Sequence, residues 1–130
     1  VGYVFTENIQ HNIESSQQNI ESSTSKPRKV VVLGDTSDAS DIIHLAKNAS
    51  IITHEATLSQ NVTNTVARQR GHATPSLITK FARKTHPRLL LLTHFGGAVS
   101  PEQQEREVSA LYPHTLSAHD LQEFIVPPPF

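Results

Sequence analysis

The chain is 130 residues long, room for one domain of ordinary size with a core of a few dozen side chains. Apolar content is 36% and formal net charge is −1, which excludes a global attraction to nucleic acid or membrane surfaces. There is no cysteine, so disulfides and thiolate metal sites are excluded, and with eight histidines any metal site has to use His and carboxylate.

No run is long or apolar enough to span a bilayer, and no basic start with an apolar middle marks a secretory signal. An intracellular protein without a membrane partner is expected. The first residue is Val rather than Met, so the chain is expected to be a fragment or a processed piece.

In chain order, residues 1–6, "VGYVFT", read as the end of an upstream strand. Residues 7–28 are rich in Asn, Gln, Ser and Glu and echo themselves ("QHNIESSQ", "QQNIESST"). So few large apolar groups cannot offset the entropy of ordering, and a disordered loop is expected. "KVVVL" at 29–33 is a β-branched run of the kind covered on both faces of a sheet. Gly34 supplies a turn, and Thr36, Ser37 or Asp38 can cap a helix over 39–48 with Ile42, Ile43, Leu45 and Ala46 inward. A strand follows at 50–53, then a weak helix over 59–70. Pro75 opens a helix to about Thr85 with Leu77, Ile78, Phe81 and Ala82 inward. Residues 88–93 form the clearest strand. Pro101 opens a polar helix to Leu111, and "HTLSA" and "EFIV" read as late edge strands. The prolines at 127–129 stop the fold, leaving 29–127 as the folded unit and 128–130 as a tail. Such alternation predicts an α/β layer structure with a largely parallel sheet.

Three of these strands end on polar groups: Asp35, the pair His54 and Glu55, and His94. Carboxyl ends of parallel strands share one edge, where ligands bind. His72 joins them from the tight turn before Pro75. Each residue has a plain alternative. Asp35 can be a turn residue, His54 a loop brace, Glu55 a surface carboxylate, His72 a turn residue and His94 a satisfied core histidine. Together they favour a site. Asp and His are hard or borderline ligands suited to zinc or manganese, although two are too few for a catalytic zinc. A carboxylate can bridge two metals, a common arrangement for phosphodiester cleavage. Glu55 can then fix the tautomer of His72 and stabilise its protonated form, so that His72 donates a proton to a leaving oxygen. His11, His44, His86, His114 and His119 lack such placement and read as solvent or loop residues.

Between Glu55 and Glu102 there is no acidic residue, while Arg68, Arg70, Lys80, Arg83, Lys84 and Arg88 all fall inside. That is either one solvated basic face or a track for a polyanion's phosphates.

"VVVLGDTSD", "ITHEAT", "RGHATP" and "LLLLTHF", in this order and spacing, resemble the second half of the ribonuclease Z family, and "EREVSALYPHTLSAHDLQEFIVP" resembles its closing segment. The resemblance covers residues 27–127. It implies the carboxy-terminal half of a metallo-β-lactamase fold, an α/β αββα sandwich, and a zinc-dependent endoribonuclease that removes 3′ trailers from precursor tRNA, usually as a homodimer. Asp35 would bridge two Zn2+ ions and His94 would ligate one. Glu55 and His72 would orient and protonate the leaving group, supported by His54 and Thr74. Arg68, Arg70, Lys80, Arg83 and Lys84 would meet RNA. The chain also departs from the family. The His-x-His-x-Asp-His cluster of its first half has no counterpart here, nor has the arm that clamps tRNA, unless residues 7–28 replace part of it. Gly96-Gly97-Ala98-Val99 stands where Ser, Arg and an aromatic are usual, and Ala73 replaces a Ser. Lacking most metal ligands, the chain is expected to be inactive alone. A catalytically inert scaffold that binds RNA or a partner is the alternative, and a receiver-like phosphoacceptor role for Asp35 leaves the other site residues without a task.

Overall fold

A computed structural model describes residues 2–8 and 26–130. Most of the low-complexity segment, including His11, lies outside the described residues. Five strands form one sheet in the order β1 (Gly2–Thr6), β2 (Lys29–Leu33), β3 (Ile51–Glu55), β4 (Leu89–Thr93) and β5 (Thr115–Ser117). The pairings β2–β3, β3–β4 and β4–β5 are parallel, and β1 runs antiparallel to β2 with Gly2 opposite Leu33 and Thr6 opposite Lys29. The ladder runs one step further, with the Glu7 amide donating to the Arg28 carbonyl at 2.8 Å and an Arg28–Glu7 ion pair at 3.3 Å.

Parallel neighbours require crossovers, and helices supply them. A 3-10 turn, Ser40–Ile42, runs into the single turn α1 (Ile43–Ala46) between β2 and β3. Next, α2 (Asn64–Arg70) and α3 (Pro75–Thr85) bridge β3 to β4, and α4 (Pro101–Ser109) bridges β4 to β5. The helix starts are chemically specified. Thr63, Thr74 and Ser100 each accept an amide hydrogen bond at the N-cap, and Pro75 and Pro101 sit in the first turns where no N–H is missed. Gly71 closes α2 at φ 71°, a conformation that costs glycine little. No helix among the described residues is long and apolar enough to cross a membrane.

The core follows from these placements. Val31, Ile52, Leu90 and Leu92 point from the sheet onto Ala46, Ala67, Leu77, Ile78, Phe81, Ala82 and Val108 of the helices. α3 packs against α1 and α4, and α4 against β5. The inward set expected for α3 is buried as a whole.

Several sequence expectations need correction. Val32 is 36% exposed, so β2 is not covered on both faces among the described residues; side chains alternate and only Val31 and Leu33 enter the core. The helix expected over 39–48 is cut to one short turn on either side of residue 43, and Leu45 is 47% exposed rather than inward. Ala39 takes its N-cap position without a side-chain bond, while Thr36 and Asp38 spend their side chains on a local turn. The second helix starts at Asn64, because Thr63 is a better cap than anything before it. α4 stops at Ser109. "EFIV" forms no strand, and β3 extends through Glu55, so the His-Glu pair lies in the strand itself.

Candidate active site

Glu55 is the last residue of β3 and only 1% exposed. Burying a carboxylate requires donors for its oxygens. Four are present. Oε1 accepts from the Thr36 amide (3.2 Å), the Ala73 amide (2.8 Å) and His72 Nδ1 (3.2 Å), and Oε2 accepts from the Thr57 amide (3.0 Å). One side chain thus ties together the loop after β2, the loop after β3 and the turn before α3. A carboxylate oxygen can only accept, so His72 carries a proton on Nδ1 and turns Nε2 away from Glu55.

His94 follows β4 with φ 52°, a left-handed backbone that is uncommon outside glycine. The Thr57 hydroxyl donates to the His94 carbonyl at 3.0 Å, and its oxygen lies 3.0 Å from His94 Nδ1. The same nitrogen is 3.3 Å from Asp35 Oδ1, with both side chains about half exposed. The rings of His72 and His94 stack with centroids 5.8 Å apart. One donor atom from each of Asp35, His72 and His94 lies within 4.8 Å of the others. Asp35, Glu55, His72 and His94, from three strand ends and one turn, thus lie together.

His54 goes elsewhere. Successive strand residues face opposite ways, so it lies under the helices, 3% exposed, with its ring 5.8 Å from Phe81. Its Nδ1 donates to the Glu55 carbonyl at 2.9 Å. Burial holds the imidazole below its usual value near 6.5, against the opposing pull of Glu55. Thr74 is buried as the N-cap of α3, where it orients the turn that presents His72. Arg68, Lys80 and Lys84 gather around one cavity, and Arg83 joins Lys80 and Lys84 along a second. Arg70 lines neither. His44, His86, His114 and His119 are exposed and are not among the clustered donors.

Three contributors escaped sequence reasoning. Thr57 stood inside a quoted motif, but nothing in the sequence signalled its bond to His94. A Cβ on Gly96 would run into the Thr57 carbonyl, so the loop carrying His94 closes against the loop after β3 only because that residue is glycine. Gln104, fully buried on α4, donates through Nε2 to the Leu58 carbonyl at 2.8 Å and anchors the same loop.

Comparison with known proteins bears on the fold. No family model matches the chain. The sequence is 30% identical to Ribonuclease BN of Proteus mirabilis over 102 residues, covering 76% of this chain and 33% of that protein. It is 32% identical to Ribonuclease Z of Acaryochloris marina over 106 residues, covering 77% and 33%. Among solved structures, the short form of human tRNase Z superposes with a TM-score of 0.59, at 28% identity, over 77% of this chain and 34% of that one. The Bacillus subtilis metallo-β-lactamase fold protein YhfI matches in fold, with a TM-score of 0.60 at 21% identity over 69% and 36%. The parallel sheet, its helices and the Asp-His cluster at the strand ends thus define part of a metallo-β-lactamase fold. Within that class the chain is a relative of ribonuclease Z, and it spans about a third of the length of the curated relatives it matches.

Proposed function

We propose that this chain supplies part of the active site of a zinc-dependent endoribonuclease that removes the 3′ trailer from precursor tRNA and leaves a 3′-hydroxyl. The observation that carries the reading is the convergence of Asp35, His72 and His94 with Glu55 behind His72. Two imidazoles and a carboxylate fit zinc in ligand type, and their spacing allows one ion to be shared. Asp35 and His94 would hold it. When bound there, zinc supplies a Lewis acid for the charge on a phosphoryl group.

The remaining work falls to the chain's own side chains. Glu55 fixes the Nδ1–H orientation of His72, and a proton carried on Nε2, the nitrogen turned away from Glu55, would pass to the departing ribose oxygen. Thr57 and the left-handed backbone at His94 hold the second ring in place. The basic side chains Arg68, Arg70, Lys80, Arg83 and Lys84 are the RNA-facing groups in this reading, and the intact protein works inside the cell as a homodimer. The 130-residue chain alone is inactive, because the other ligands of a zinc pair are not in it.

A second reading rests on the same triangle. With a neutral ring, His72 Nε2 is a lone pair, and one ring nitrogen of His72 lies within 4.8 Å of ligand atoms of Asp35 and His94, so the ring suits a third ligand position. His72→Ala in the full-length protein separates the two. Zinc content close to wild type with a cleavage rate down about 100-fold or more supports proton donation. Loss of zinc in step with activity assigns His72 to the metal. A full-length protein that leaves a trailer-bearing precursor tRNA uncut, with zinc loaded, would point instead to a catalytically inert scaffold.

A further inference from the structure

Behind the loop that carries Asp35, a cavity of about 240 Å³ opens between that loop, α2 and α3. Leu77 and Phe81 give it an apolar wall, and the buried His54 lies against it. Because His54 donates through Nδ1 to a carbonyl, its Nε2 is a lone pair, with no hydrogen-bond partner among the described residues. Burial keeps that ring uncharged near neutral pH. Arg68, Lys80 and Lys84 line the exposed side. Asp38 also lines it, but its carboxylate is engaged by Ser40 and lies 3.9 Å from Arg68. Lys80 and Lys84 have no ion-pair partner among the described residues.

An apolar aromatic wall, one buried acceptor and a cationic mouth together define a narrow ligand class. We propose that this cavity binds a nucleoside 5′-monophosphate unit. The base lies against Phe81 and Leu77 and donates an N–H to His54 Nε2, and the phosphate rests on Lys80 and Lys84. The volume sits just below the roughly 300–1,000 Å³ of drug-sized ligand sites, which suits one nucleoside with its phosphate left at the mouth. An inorganic phosphate would leave the apolar wall unused, and a lone base would leave the lysines unused. The same unit can come from a free nucleotide or from one residue of an RNA strand. The strand source rests on the nuclease reading above, and the free-nucleotide source does not.

The test is calorimetric binding to the full-length protein in excess chelator, which silences the metal cluster. The probes are AMP, adenosine and inorganic phosphate, each against wild type and Lys80→Gln/Lys84→Gln. Both lysines are exposed, so the double variant keeps the fold, and a thermal melt checks it. AMP should bind with affinity about tenfold or more above adenosine and above phosphate, and the double variant should lose about tenfold for AMP. No AMP binding, phosphate binding as tightly as AMP, or AMP binding untouched by the double variant would each overturn the site. Displacement of AMP by precursor tRNA assigns the cavity to the RNA strand, and AMP retained beside saturating RNA assigns it to a free nucleotide. AMP binding as described in a protein that cuts no precursor tRNA would leave this site standing while the nuclease reading falls.

Discussion

The carboxylate of Glu55 accepts from three backbone amides on three loops and from the His72 ring. Its removal leaves the buried Ala73 amide and three part-buried donors without that acceptor, and a buried donor left unpaired costs about 1–3 kcal/mol. Glu55→Ala in the full-length protein should therefore lose about 3 kcal/mol or more in denaturant unfolding; a change below about 1 kcal/mol would show that the loops are held by other means. The neighbouring His54 predicts a pH effect of definite sign. Its folded value lies below the unfolded one near 6.5, so the unfolded chain takes up the proton first as pH falls. Its contribution is fully present above that pH and is lost as pH drops below about 6.5 toward the folded value. The thermal midpoint should decline on acidification through this window, and His54→Gln should flatten the decline. An unchanged slope in the variant would assign the effect to other groups. At this scale the sequence was informative about which residues matter, since chemistry-bearing types at strand ends are visible as such. It was silent about Thr57, whose hydroxyl is ordinary until the fold brings His94 beside it.

Elements that carry their own punctuation were readable. α3 runs from Pro75 to Thr85 as expected because Thr74, Pro75 and an amphipathic pattern all mark one helix. Elements without such marks were misread. Residues 39–48 have apolar spacing, but no cap; the Thr36 and Asp38 side chains are consumed by a turn, and only a 3-10 turn and a single α-helical turn survive. "EFIV" has strand-like residues, yet nothing in it could reveal the lack of a neighbouring strand to pair with. Loop packing was equally hidden. Gly96 is required by the backbone of Thr57, a contact 39 residues away in sequence. Gly96→Ala should push the loop carrying His94 outward and weaken metal binding by about tenfold, as disturbed support of a ligand commonly does. Zinc titration of the full-length variant measures this, and wild-type affinity would mean the loop absorbs a methyl group without moving His94.

At the scale of the molecule, the helices found places on one face of the sheet, and the other face keeps Tyr3, Phe5, Val32 and Leu116 exposed. The sequence conveyed the α/β alternation and the shared edge of the site. It did not convey this one-sidedness, because "KVVVL" reads the same whether one face or two are covered. Four cations, Arg68, Lys80, Arg83 and Lys84, line two neighbouring cavities on the helical side. If these groups meet RNA phosphates, binding should weaken with salt in proportion to the number engaged. Lys80→Gln/Lys84→Gln in the full-length protein should then flatten the log–log salt dependence of precursor-tRNA binding by about 1.5. An identical slope in wild type and variant would place the phosphates elsewhere.

The knot at Glu55 also sets which parts of the surface are free to change length. Thr36, Thr57 and Ala73 are pinned through their amides, so their spacing to the strands is fixed by the backbone whatever side chains they carry. Gln60 and Asn61, exposed between the pinned Thr57 and the cap of α2, bear no such constraint. Extra residues, a reporter peptide or a new recognition loop belong there. One residue inserted between Leu33 and Thr36 would carry Asp35 out of register with everything it meets.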